Sequence, residues 1–497
     1  MNGGERQKMM RSNAYRVPQP GESGAVLGLG ISNRELILYL HRSGVRLSLY
    51  DQKGPEELGQ RWEAVRDRVD RASLGPDYLA AFDLDRRRKG FDWVFVTPGM
   101  PRDLPQIEGA RSDGSEISSE LALFMIACPA PMVGVTGSSG KTTTVSLVDR
   151  FLRCDGRQVW LGGNIGTPLI DRLDEIRGDH VVVLEISSFQ LETAVRVPQV
   201  GAVLNISPDH LDIHRTMANY VDAKARMIRC QQPGDFMVLG ADCDRTRELA
   251  PAVRGDLAWF SAQQTPDDVG AQASMVAWYA DDHLWVREQA RDLSLCRGRD
   301  LPLRGKHNVK NTLAAALLTL RMGASVDSIR EGIEGFAPVR HRLEEVGEIG
   351  GVLFVNDSIA TSPDRTFAAL HSYDRPMVLI LGGYNKRLTF DALSGELVRL
   401  VRAGRVRALI LMGAAAEEIA GSLRAEASSD EGWEEMDALH CVDDLAAAFA
   451  LARKVSRAGD VVLMSPACAS FDAFDNYMQR GDAFRAMVER ACRDEGA

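Results

Sequence analysis

The segment TGSSGKTTT at residues 136–144, directly after an apolar run ending at Val135, restricts the fold of this chain more than any other stretch. An apolar strand that empties into a glycine-rich turn and then a helix aims backbone N–H groups at one point, which favours phosphate. Lys141 adds positive charge there, and the Thr142 hydroxyl is an oxygen of the type that binds Mg²⁺. Val135 stands five residues before Gly140, where the strict phosphate-loop pattern carries glycine. A turn that needs glycine for geometry alone would account for Gly137 and Gly140, but not for Lys141 followed by Thr142, Thr143 and Thr144.

A chain of 497 residues is too long for one core and predicts about three domains of ordinary size. With 45% hydrophobic and 26% charged residues its composition is globular, and no apolar stretch is long enough to span a bilayer. Residues 1–19 are polar and basic without an apolar core, which predicts a disordered leader and a cytoplasmic protein rather than a secreted one. Eight scattered cysteines with no C-x-x-C pair predict reduced structural thiols. A net charge of −10 argues against a general nucleic-acid surface, so nucleotide binding must come from local sites.

Residues 24–51 read as a βαβ unit. The turn keeps Gly28 and Gly30, but Asn33 holds the last glycine position, so the dinucleotide fingerprint is incomplete. Asp51 at the end of the second strand suits either a ribose or base contact or a local cap. Two prolines in Cys-Pro-Ala-Pro, at 129 and 131, predict a domain boundary, with a first domain over 20–128. Alternating strands (181–184, 202–205, 237–239) and helical stretches predict a mainly parallel sheet in a second domain, 129–337, with an appended β-piece at 258–287. A third α/β block, 338–497, has strands at 352–355, 377–381, 408–412 and 461–464.

Open α/β sheets place ligands beyond the carboxyl ends of their strands. Glu185 ends the apolar run 181–184, and a buried carboxylate beside a phosphate loop is most simply balanced by a cation such as Mg²⁺. A second constellation, ISPDHLD at 206–212, precedes a helix with Tyr220, Lys224 and Arg226, where His210 and Lys224 can converge.

TGSSGKTTT, GGNIGTPL (162–169), LEISSFQLE (184–192), ISPDHLDIH (206–214) with DAK (222–224), GKHNVKN (305–311), PVRHR (338–342), GGYNK (382–386) and SPACASFDAFDNY (465–477) together resemble the Mur ligases, in order over nearly the whole chain. GGYNK and SPACASFD resemble the glutamate-adding branch of that family rather than its folate-type relatives. The resemblance implies a Rossmann-like N-terminal domain for a UDP-linked substrate, a central ATPase domain, and a Rossmann-like C-terminal domain that receives the amino acid. The implied reaction joins glutamate to UDP-N-acetylmuramoyl-L-alanine with ATP and Mg²⁺, through an acyl phosphate, in a monomeric enzyme.

Carried over residue by residue, the resemblance makes Lys141, Glu185, His210 and Lys224 catalytic. Thr142, Glu185, His210 and a carbamylated Lys224 would hold metal. Gly137, Ser138, Ser139, Gly140, Lys141, Thr142, Thr143, Asn308, Asn311, Arg342 and Asp357 fall to ATP. Gly30, Ser32, Asp51, Asn164 and Ser187 fall to the UDP substrate, and Thr361, Lys386, Ser470 and Tyr477 to glutamate. Many relatives carry lysine where this chain has Ile359, and Asn where it has Ser362, so the cation count near phosphate or glutamate differs. D-glutamate is the expectation because most of that branch adds it, while a subgroup adds L-glutamate. A phosphate-loop ATPase without an acyl substrate and a Rossmann oxidoreductase are the readings from other classes, and both leave the last third of the chain unexplained.

Overall fold

The computed structural model describes residues 15–268, 273–288, 291–303, 305–336, 340–373, 375–386, 388–427 and 438–495. The expected break at 337/338 and residues 1–14 of the expected leader lie outside them. Residues 15–19 rest on the first unit, where Arg16 pairs with Glu22 and its guanidinium lies 5.3 Å from the Trp93 ring centroid.

Three sheets organise the chain. The first is wholly parallel, with β1 (Ser23–Leu27), β2 (Arg46–Asp51), β3 (Arg71–Leu74), β4 (Trp93–Val96) and β5 (Glu116–Ser118) in the order β3-β2-β1-β4-β5. The second contains β6 (Met132–Thr136), β7 (Val159–Gly163), β8 (Val181–Glu185), β9 (Val200–Val203), β10 (Phe236–Gly240), β11 (Asp256–Ser261), β12 (Met275–Ala280), β13 (His283–Glu288) and β14 (Arg291–Arg297). Its order is β14-β13-β12-β11-β10-β9-β6-β8-β7, parallel except for β13 and β14. The third contains β15 (Glu344–Ile349), β16 (Val352–Asn356), β17 (Met377–Gly382), β18 (Val406–Met412), β19 (Leu439–Val442) and β20 (Val461–Met464), ordered β15-β16-β20-β17-β18-β19 with only β15 antiparallel. The β-piece expected at 258–287 does not stand apart: β11 to β14 continue the central sheet, because β11 pairs in parallel register with β10.

The central strands are apolar on both faces, as parallel strands covered by helices must be. In β8, Val181 and Val183 join one apolar cluster while Val182 and Leu184 join another, the two-residue alternation of a strand. The second of these clusters also contains Val26, Leu47 and Phe95, so the first sheet and the middle sheet share one continuous core. Leu379 and Leu381 likewise face one cluster of the third sheet, and Val378 and Ile380 the other. Each fully buried Leu or Val removes apolar surface worth about 1.5–3 kcal/mol. Among the described residues no helix is long and apolar enough to cross a membrane.

One carboxyl sits against this grain. Glu120 is 4% exposed at the start of the helix Glu120–Ala127, and burial pushes its pKa up to about 8 although a backbone N–H of Ile170 opposes the shift. The unfolded carboxyl titrates near 4.3, so folding takes up a proton between about pH 4.3 and 8, and the stability this group permits at low pH is lost as pH rises through that window. Glu120→Gln is therefore expected to gain stability over the parent on the order of 1 kcal/mol per pH unit between pH 5 and 8 in urea unfolding. Parallel stability curves for the two proteins would refute the assignment.

Candidate active site

Chain order reverses about β6, which lies between β8 and β9, so the loops after these three strands meet at one sheet end. Residues 137–140 leave β6 and open the helix Lys141–Cys154, whose Val145, Leu147, Val148, Phe151 and Leu152 are buried beneath it. Gly140 has φ +84°, and a Cβ there would stand 2.2 Å from Asn311 Oδ1. Glycine is thus required both for the left-handed backbone and for the close approach of the helix Lys306–Arg321. The loop after β9 clamps the turn. Ser139 N donates to Asn205 Oδ1 at 3.0 Å, Asn205 Nδ2 donates to the Ser139 carbonyl at 3.1 Å, and Ser138 Oγ donates to the Ser207 carbonyl at 2.9 Å.

Glu185, 3% exposed at the end of β8, accepts from Thr142 Oγ1 at 2.6 Å and from Asn164 Nδ2 at 2.9 Å. Lys141 folds back, its Nζ donating to the carbonyls of Gly137 (2.8 Å) and Ser138 (3.2 Å). Lys224 Nζ donates to the same Gly137 carbonyl at 3.0 Å and lies 4.6 Å from the Tyr220 ring centroid. Burial lowers the Lys141 pKa to about 8, and burial with the neighbouring Lys141 charge pushes Lys224 well below the usual amine range. His210, in left-handed backbone with φ 54°, packs edge-on to Phe189 with ring centroids 5.1 Å apart, and burial lowers its pKa to about 3. The His210 imidazole and the Lys224 amine thus line the same cavity as Glu185. Among the described residues no group of three or more His, Cys, Asp or Glu is arranged to hold a metal.

The carboxyl ends of β16, β20 and β17, adjacent in the third sheet, face this corner. Arg342, just before β15, donates to Thr143 Oγ1, and burial lowers its pKa. Asp357 accepts from Ser465 Oγ at 2.7 Å and from Leu343 N at 3.2 Å, yet burial raises its pKa to about 6. Lys386, 8% exposed, donates to Asp209 Oδ1 at 3.2 Å. Burial alone would raise the Asp209 pKa, but Lys386 holds it well below the usual carboxylate range.

Two cavities result. One, of about 270 Å³, is lined by Ser139, Gly140, His307, Asn311, Arg342 and Asp357, with Asn308 behind it accepting from Asn311 Nδ2 at 3.0 Å. The other, of about 320 Å³, collects Lys141, Thr142, Asn164, Glu185, Ser187, His210, Lys224, Thr361, Lys386, Ser470 and Tyr477. They meet at Gly140, Arg342, Ile359 and Arg365. Ser187 also caps the short helix Ser188–Leu191 through a reciprocal bond with Gln190, and the buried Ser470 Oγ has no hydrogen-bond partner among the described residues.

Gly30, Ser32 and Asp51 line neither cavity. Asp51 accepts from the backbone N–H groups of Leu29 (2.5 Å) and Lys53 (2.8 Å), so its carboxylate ties the glycine turn to the end of β2. Asn33 fills the missing glycine's place by donating to the Leu27 and Gly28 carbonyls at 3.3 and 2.8 Å. Sequence reasoning passed over Asp209, although it lies inside the quoted ISPDHLD, and it passed over Arg365, which no spacing or motif marks.

Residues 135–319 match the Mur ligase middle domain, and residues 341–468 match the Mur ligase glutamate ligase domain. A UDP-N-acetylmuramoylalanine--D-glutamate ligase of Symbiobacterium thermophilum is 41% identical over 94% of this chain and 98% of its own length. Its counterpart in Acetivibrio thermocellus is 40% identical over 96% of this chain and 98% of its own. The chain belongs to the Mur ligase family. Solved structures carry the fold further: MurF from Thermotoga maritima, in complex with ADP, covers 98% of this chain and 99% of its own at 16% identity with a TM-score of 0.56. A MurF from Acinetobacter baumannii covers 97% and 98% at 16% identity with a TM-score of 0.58.

Gly140→Ala should fold with a loss of about 1–2 kcal/mol from the left-handed backbone and bind ATP at least about tenfold more weakly by calorimetry. Unchanged ATP affinity in the folded variant would separate this turn from nucleotide binding.

Proposed function

We propose that this protein ligates D-glutamate to UDP-N-acetylmuramoyl-L-alanine with cleavage of ATP to ADP and phosphate, a step of peptidoglycan precursor synthesis. The observation that carries this reading is the near-full-length identity to two ligases named for that reaction, together with a pair of cavities that meet at the phosphate loop. The D-isomer follows the relatives' names. The family's ATP dependence and the neighbour solved with ADP support nucleotide in the smaller cavity, with Asn311 and Asp357 at its wall, Asn308 behind it, and the loop residues Gly137, Ser138, Ser139 and Gly140 beside its phosphates.

A carboxylate is a poor acyl donor because oxide would have to leave. In the proposed mechanism an oxygen of the alanyl carboxylate bonds to the γ-phosphorus, and the bond from that phosphorus to its bridging oxygen breaks, with the electron pair leaving on ADP. The glutamate nitrogen then attacks the acyl carbon, loses a proton, and phosphate leaves. Lys141 unfolds from the Gly137 carbonyl onto the transferred phosphoryl group and neutralises charge that grows during transfer. Thr143 fixes Arg342 beside the nucleotide. Asn164 and Ser187 position the acceptor near the loop, and Gly30, Ser32 and Asp51 support the UDP end from the first unit. Lys386 faces a glutamate carboxylate while Thr361, Ser470 and Tyr477 supply hydroxyls, of which the unpartnered Ser470 Oγ is free for a ligand.

The residues present suit Mg²⁺. Thr142 and Asn164 hold both oxygens of Glu185 in place, and His210 keeps its lone pair at neutral pH because burial lowers its pKa. Burial and the neighbouring Lys141 charge shift Lys224 toward the neutral amine, the form that adds CO₂ to give a carbamate, which would convert a cation into a ligand. Bound by Thr142, Glu185, His210 and a carbamylated Lys224, Mg²⁺ would supply Lewis-acid stabilisation of phosphate charge.

The defining test is phosphate release with ATP, Mg²⁺ and UDP-N-acetylmuramoyl-L-alanine, with D-glutamate, L-glutamate or no amino acid, and the product weighed by mass spectrometry. Release and ligated product are expected with D-glutamate only; release indifferent to the amino acid would sink the reading. Lys141→Ala should lose at least about 10³-fold in turnover while keeping its unfolding transition, and near-normal turnover would remove Lys141 from the chemistry. Lys224→Ala should be inactive and partly rescued by short carboxylates. Unimpaired activity would exclude the carbamate.

A further inference from the structure

Ile359 is the large apolar residue in the segment NDSIATS at 356–362. Its side chain is 7% exposed and lines the seam where the two cavities join. Six residues on, in the first turn of the helix Pro363–Leu370, Arg365 reaches back across that seam. Its Nη1 donates to the Ile359 carbonyl at 3.0 Å, and its Nη2 donates to the Ser138 carbonyl of the phosphate loop at 2.8 Å. The guanidinium therefore bridges the backbone of Ile359 and the phosphate loop.

The local sequence explains how it gets there. Pro363 sets the helical φ at the first position of the helix. Asp364 accepts from Ser362 Oγ at 2.6 Å and, across the seam, from Ser207 Oγ at 2.7 Å. The helix start is thus pinned to the loop after β9, and Arg365 is carried against the turn that the same loop clamps.

The ion-pair partner of Arg365 among the described residues, Asp209, lies 3.9 Å away and already accepts from Lys386 at 3.2 Å. Asp364 and Glu185 also favour its charge from nearby, while Arg365 Nε is buried with no hydrogen-bond partner among the described residues. Lys141, Arg342, Arg365 and Lys386 converge on the seam, with Asp209, Glu185, Asp357 and Asp364 set among them. Four cationic side chains at the join of two cavities can close on a polyanion placed there.

We propose that Arg365 contacts the γ-phosphate of the bound nucleotide and supplies catalytic charge there from the helix Pro363–Leu370. This rests on the ligase reading above. During transfer the acceptor oxygen bonds to phosphorus, the bridging oxygen leaves with its electron pair on ADP, and Arg365 neutralises the equatorial oxygens without changing its own bonds or protonation. An arginine suits the longer reach: its planar fork can keep one arm on the Ser138 carbonyl while another donates to phosphate, which a lysine ammonium cannot do in one fixed plane. Because Arg365 and the loop belong to different units, the charge is complete only while the third unit is docked.

The test compares the parent, R365M and the double variant I359K/R365M in two measurements. Calorimetric binding of AMP-PNP and of ADP isolates the γ-phosphate, and turnover is read as phosphate release with D-glutamate. R365M should weaken AMP-PNP about tenfold or more while ADP changes less than about twofold, and should lower kcat by about 10²- to 10³-fold. I359K should restore at least about tenfold of the lost kcat. Equal weakening of both nucleotides would reveal a docking role and overturn the proposal, as would turnover within about threefold of the parent or absence of rescue by I359K. If R365M does not fold, R365K, which keeps the charge, is compared with I359K/R365M on the same readouts. A parent protein that ligates no glutamate fails the ligase reading, and the AMP-PNP to ADP ratio still decides Arg365.

Discussion

The ion pair of Lys386 with Asp209 holds together two units that otherwise have separate cores. Both partners are almost wholly buried, at 8% and 3% exposure, and they come from the loop after β17 and the loop after β9. Desolvating two charges is costly, and the pair is retained only if its geometry and further bonds return that cost. Removing one partner would strand a buried charge, a loss of about 3–5 kcal/mol in comparable pairs. The contact sets where the third sheet's strand ends stand relative to the phosphate loop, and Ser207 with Asp364 repeats the same crossing with a neutral donor.

That docking explains the electrostatics inside. Lys141 and Lys224 share a single carbonyl acceptor, Gly137, and the closeness of two amines in a dry corner contributes to driving Lys224 toward its neutral form. Glu185 is turned by Thr142 and Asn164 to face them. Both lysines are folded onto the loop they would serve, and Arg365 shares its ion-pair partner Asp209 with Lys386. A triphosphate answers all of these at once, which is why phosphate chemistry, more than any single side chain, makes sense of the arrangement.

The first unit is bound differently. It shares an apolar cluster with one face of the middle sheet, and Arg42 pairs with Asp171 at 2.5 Å across the join. A broad apolar join of this kind resists movement more than a few polar bonds do.

Local rules made much of this legible in the amino-acid order. The apolar runs at 181–184, 377–381 and 461–464 read as buried strands and are strands, and TGSSGKTTT with Glu185 at a strand end marked the corner where Lys141, Thr142 and Glu185 meet, because strand period, glycine geometry and charge act over a few residues. The β-strands after 256 were visible as strands but not as the edge of the central sheet, since pairing partners are chosen by packing over long range. Asp51 offered a ribose contact or a cap, and only the folded turn showed its oxygens taken by backbone N–H groups. Arg365 left no signal at all. Its position over Ile359 and Ser138 exists only because two sheets of different units bring their strand ends face to face, and the geometry of that meeting is set by cores and a buried ion pair far apart in the chain.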